Sequence, residues 1–126
     1  MENETARPQA HKKILIADDD PDILDALSLM LEDADYVTET IMEDLTVQQI
    51  SDSHADLLLL DIWMSGIDGR DICKKLKSQE QTRNLPVIMI SANKNVARLS
   101  KEVGADDYLA KPFDMDDLLA KVAKYI

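Results

Sequence analysis

The chain has 126 residues, 45% of them hydrophobic, which is enough for one compact core and too few for two ordinary domains. Its single cysteine, Cys73, excludes an internal disulfide and fits a reduced, cytoplasmic setting, and no apolar run approaches the roughly 18 residues of a membrane span. The net charge of −11 is unevenly placed, with 15 acidic residues and no Lys or Arg from residue 14 to residue 69 and no concentrated basic stripe beyond, which argues against nucleic-acid binding by this domain.

Residues 1–11 are polar and lack the apolar core of a signal peptide, so they are read as a flexible N-terminal tail before one domain spanning 12–126. A short apolar run at 14–17 predicts the first strand. Pro21 then opens a helix whose apolar face carries Ile23, Leu27, Met30 and Leu31. A second strand is expected at 36–40, followed by a poorly patterned helix around 45–50. The run at 56–60 predicts a third strand, and Ile72, Cys73 and Leu76 mark the third helix. A fourth strand at 87–90 precedes a helix marked by Val96, Leu99 and Val103, with Gly104 suited to its end. The fifth strand falls at 108–110, and Met115, Leu118, Leu119, Val122 and Ile126 recur at helical spacing to the end of the chain. Strands alternating with helices predict an α/β fold with a doubly wound, largely parallel five-stranded sheet.

The residues just past each apolar run carry the chemistry. Asp18 and Asp19 close the first run, Asp61 the third, Ser91 the fourth and Lys111 the fifth. Ligands of open parallel sheets bind beyond the carboxyl ends of the strands, so these side chains are expected to converge there. Two carboxylates at about 4 Å repel by about 4 kcal/mol at an effective dielectric of 20. A cation is therefore expected, and Mg²⁺ suits the purpose because it takes one or two carboxylates and keeps positions for phosphate oxygens. Lys111 and the Ser91 hydroxyl add the positive charge and the donor that a phosphoryl group needs. Asp61, the lone acid closing a strongly apolar strand, is the expected phosphoryl acceptor, with Asp18 and Asp19 holding the metal.

The segments ILIADDD (14–20), LLLLDIWMSGIDG (57–69), VIMISA (87–92) and GADDYLAKPF (104–113) resemble the receiver motifs of two-component signalling proteins. They occur in order, and Asp19, Asp61, Ser91 and Lys111 are separated by 42, 30 and 20 residues. The resemblance implies a flavodoxin-like, CheY-like fold with strand order 2-1-3-4-5. It also implies a response regulator that takes its phosphoryl group from a histidine kinase or histidine phosphotransfer protein and passes the signal to a downstream effector protein. By the same likeness the backbone carbonyl of Trp63 completes the metal site with Asp18, Asp19 and Asp61. Tyr108 is the aromatic switch that turns inward when Ser91 is drawn to the phosphoryl group, and the Lys111-Pro112 bond is one often found cis. Receivers usually have proline where this chain has Ser65, which is expected to loosen that loop.

Other residues have plainer readings. Asp20, just before Pro21, is expected to cap the first helix rather than ligate metal, and Asp68 with Gly69 to form a turn and helix start. His11 and His54 read as surface residues and Cys73 as core. Two rival functions stand beside the receiver. An aspartate-nucleophile phosphohydrolase usually has a second acid two residues after the nucleophile, where this chain has Trp63. An inert pseudo-receiver would leave the complete set of phosphorylation groups unexplained.

Overall fold

The computed structural model describes residues 12–64 and 66–126; the expected tail at 1–11 and the expected loosening at Ser65 lie outside the described residues. The elements run β1 (Lys13–Ala17), α1 (Pro21–Asp33), β2 (Val37–Ile41), α2 (Val47–Ser53), β3 (Leu57–Asp61), β4 (Trp63–Met64), β5 (Ile67–Asp68), α3 (Gly69–Ser78), β6 (Val87–Ser91), α4 (Val96–Glu102), β7 (Asp107–Ala110) and α5 (Met115–Tyr125). Five parallel strands form one sheet in the order β2-β1-β3-β6-β7, which is the expected 2-1-3-4-5 arrangement once the two short strands are set aside.

Continuous apolar strands form because both faces of the sheet are covered. Alternate side chains leave opposite faces. Leu58 and Leu60 pack with Ile50, Ile72, Leu76 and Val96 beneath α2, α3 and α4, whereas Leu57 and Leu59 pack with Leu27, Leu31, Leu118 and Val122 beneath α1 and α5. All four leucines are fully buried. Burial of one such side chain stabilises by roughly 1.5–3 kcal/mol, so β3 anchors both layers.

The starts of α1, α2, α3 and α5 follow side chains that accept orphan backbone N–H groups, whereas α4 begins without a side-chain cap. Asp20 caps α1 by accepting from the Asp22 N–H at 2.9 Å, as expected. Thr46 and Gln49 form a reciprocal capping box on α2. That box begins the helix at Val47, later than the apolar pattern around 45–50 suggests, while Leu45 is buried outside it. Gly104 ends the α4 region with φ +81°, a conformation glycine adopts without a side-chain penalty. Met115 departs from the expected apolar face: it stands in the first turn of α5, exposed, while Leu118 and Val122 reach the core. Cys73 is core as read, fully buried, with its thiol pushed up to about 11 by that burial.

Candidate functional site

Parallel register brings the strand ends together. Ala17 lies opposite Leu60, Asp61 opposite Ile90 and Ser91 opposite Ala110, so Asp18, Asp61, Ser91 and Lys111 emerge along one edge. Neighbouring strands are about 4.8 Å apart, within reach of short side chains. Ligand oxygens of Asp18, Asp19 and Asp61 all lie within 4.8 Å of one another. Asp18 and Asp61 are buried and Asp19 is exposed, which leaves the group open to solvent on one side.

The surrounding bonds hold these carboxylates in place. Asp18 Oδ1 accepts the Asp20 N–H at 3.0 Å, and the Asp18 N–H donates to the Ile41 carbonyl at 3.2 Å. Asp61 Oδ1 accepts the Trp63 N–H at 3.4 Å. Lys111 Nζ lies 3.1 Å from Asp18 Oδ2 and 3.9 Å from Asp61 Oδ2. The Lys111 N–H donates to the Ser91 carbonyl at 2.9 Å, and the Lys111–Pro112 peptide bond is cis. Ser91 is buried, and its Oγ accepts the Asn93 N–H at 3.0 Å.

One ammonium cannot neutralise three carboxylates. Asp61 records the deficit: burial, followed by the charge of Asp18, pushes its pKa up to about 6, against the opposing pull of Lys111 and the Trp63 N–H. An all-oxygen donor set with excess negative charge suits a hard divalent cation. Among the described residues, this is the group of acids close enough to share one, and Asp20 stands outside it.

Trp63 and Tyr108 sit at the margins of the site. Trp63 is 54% exposed and begins a small antiparallel ribbon in which it pairs with Asp68, and Met64 with Ile67. Tyr108 is on the outer edge strand at 36% exposure, with Lys121 Nζ 4.2 Å from its ring centre. Lys121 also donates to the Tyr108 carbonyl and pairs with Asp107 at 3.1 Å. The β4–β5 ribbon was not expected, because two residues per strand carry no detectable period. Neither was the stacking of Arg70 on Trp63, at 5.0 Å from guanidinium to ring centre. Gly69 follows the ribbon at a position where a Cβ would collide with the Asp61 carbonyl oxygen.

Comparison with known proteins agrees with this geometry. The family model described as a response regulator receiver domain matches residues 14–123. The chain is 37% identical over 113 residues to the DNA-binding dual master transcriptional regulator RpaA of Synechocystis, covering 87% of this chain and 47% of that protein. It is 39% identical to the nisin biosynthesis regulatory protein NisR of Lactococcus lactis, covering 87% and 48%. It thus spans about half the length of the curated relatives it matches. Among solved structures, the response regulator TrrA of Thermotoga maritima, in complex with Mg²⁺-BeF, superposes with a TM-score of 0.81 at 29% identity, covering 91% of this chain and 99% of that one. The Vibrio cholerae chemotaxis protein CheY4 superposes with a TM-score of 0.82 at 26% identity, covering 92% and 99%. Strand order, acidic edge, lysine and family match agree, and the chain belongs to the response regulator receiver domain family.

Proposed function

We propose that Asp61 accepts a phosphoryl group in a Mg²⁺-dependent reaction and that the domain, residues 12–126, then changes the surface it offers to an effector. The observation that carries this reading is the convergence of Asp18, Asp19 and Asp61 beside the Lys111 ammonium. A Mg²⁺-BeF complex of a similar receiver, TrrA, supports the choice of cation. Asp18, Asp19, Asp61 and the Trp63 carbonyl would hold Mg²⁺, which when bound would supply charge neutralisation between the acceptor carboxylate and the incoming phosphoryl oxygens.

The chain's own groups account for the rest. An Asp61 carboxylate oxygen attacks phosphorus, and the bond from phosphorus to a histidine nitrogen of the donor breaks, leaving its electron pair on the imidazole. Lys111 turns from the carboxylates to the new phosphoryl oxygens, and the Ser91 hydroxyl donates to one of them. Tyr108, freed by the movement of Ser91, leaves its outward position. The chemistry is confined to the domain's own phosphorylation and dephosphorylation. Donors are a histidine kinase or histidine phosphotransfer protein, which places the domain in the cytoplasm; among the described residues no helix is long and apolar enough to cross a membrane.

The test is intact-mass measurement after incubation with acetyl phosphate and Mg²⁺. One phosphoryl group per chain is expected, and none on Asp61→Asn. Equal labelling of that variant would remove Asp61 from the mechanism.

A further inference from the structure

We infer that Arg70 is a positioning residue for the acidic site, acting through the β4–β5 ribbon. The inference rests on the metal-dependent acceptor reading above. The ribbon pairs only two residues on each side, and a pairing that short has little stability of its own. Arg70 ties its two strands together from outside. Its Nε and Nη2 donate to the Asp68 carboxylate at 3.0 and 2.8 Å, while its guanidinium lies over the Trp63 ring at 5.0 Å. Asp68 and Trp63 are themselves the paired residues of the ribbon. A single planar side chain therefore grips both members of one cross-strand pair.

The grip reaches the acceptor by two short routes. The Trp63 N–H contacts Asp61 Oδ1 at 3.4 Å, so the position of the ribbon sets where that carboxylate is held. Asp68 also caps α3 by accepting the Arg70 N–H at 2.9 Å, and the next residue, Gly69, packs directly on the Asp61 carbonyl. Loosening the ribbon would displace the Trp63 backbone, which would disturb the metal-holding set on the acceptor's own strand.

The alternative is that Arg70 is only a half-exposed ion pair. Such pairs contribute little to stability, and the two ideas predict opposite signs for the metal. Removing a cation beside an acidic site tightens Mg²⁺ binding if charge alone matters. Loss of positioning weakens it, by roughly tenfold for an outer-shell partner.

The experiment compares the full chain with Arg70→Ala and Arg70→Lys, titrating Mg²⁺ by calorimetry and by the emission of Trp63, the chain's single tryptophan. Acetyl-phosphate labelling rates and thermal midpoints are measured in parallel. Arg70→Ala should bind Mg²⁺ roughly tenfold more weakly and label more slowly at subsaturating Mg²⁺, with a thermal midpoint near the parent's. Arg70→Lys keeps the charge without the fork and should also weaken the metal. Unchanged or tighter binding in Arg70→Ala overturns the inference while leaving the acceptor reading intact. If the parent neither binds Mg²⁺ nor takes a phosphoryl group, the acceptor reading itself fails and the inference falls with it.

Discussion

The two ends of the parallel sheet carry the same kinds of charged residue and handle them differently. At the amino ends, each of two acids accepts a backbone donor from the neighbouring strand. Asp56 takes the Lys13 N–H at 2.8 Å, and Asp106 takes the Val87 N–H at 2.8 Å together with Lys77 Nζ at 2.7 Å. Lys77 reaches the Leu85 carbonyl as well, at 2.8 Å. At the carboxyl ends, three acids face one another with Lys111 as the ammonium between two of them. The amino-end acids are spent on backbone donors of the neighbouring strand, whereas the carboxyl-end acids take N–H groups only from their own loops and are left facing one another across one ammonium. One end is therefore scaffold, and the other is poised for a ligand.

Substitutions on the two ends should separate these roles most sharply in phosphoryl uptake. Asp61→Asn should abolish labelling by acetyl phosphate, while Asp106→Ala should retain it. Intact mass of both variants reads the contrast, and loss of labelling in Asp106→Ala with its fold preserved would break it.

Stability should move in opposite directions at the two ends. The Asp61 carboxyl titrates at about 6 in the fold against an ordinary 3.8, so its ionisation opposes folding. That cost is absent below pH ~3.8, grows as pH rises, and is complete above pH ~6. Asp61→Asn should accordingly stabilise the metal-free protein by about 3 kcal/mol at pH 7, a gain that shrinks toward pH 4. Urea melts across that range measure it, and a gain independent of pH would deny that charge is the cause.

Asp106→Ala should cost about 1–2 kcal/mol, because it leaves the Val87 N–H without its charged acceptor. The same urea melts at pH 7 test this, and a neutral result would show that water replaces the carboxylate. The last effect expected is on the metal: Asp19→Asn should weaken Mg²⁺ by roughly tenfold or more, since it removes a charged ligand rather than a support for one. Calorimetry reads that change, and unchanged affinity would move the cation away from Asp19.

Much of this arrangement was legible in the sequence. Apolar runs ending in Asp18, Asp61, Ser91 and Lys111 located the strands and the residues at their exits, and Asp20 before Pro21 announced a cap. Boundaries shifted by a residue where the end of a strand and the end of its backbone bonding do not coincide. Asp56, for instance, donates its N–H to the Lys13 carbonyl just ahead of β3. Met115 departs from the apolar face it was expected to share: it stands exposed as the first residue of α5, while Leu118, three residues on, is fully buried.

By itself the sequence determined the alternation of strand and helix, the two-sided burial of β3 and the types of side chain at each strand exit, since all of these depend on local period and polarity. Tertiary structure decided the rest. Register placed Asp18 beside Asp61 and Ser91 beside Lys111, though tens of residues separate the strands. The ribbon folded Trp63 back against Asp68 and under Arg70, a contact that no helical or strand spacing announces. The upward shift of the Asp61 carboxyl is likewise a property of assembly, because repulsion and burial arise only once separate strands bring their charges to one edge.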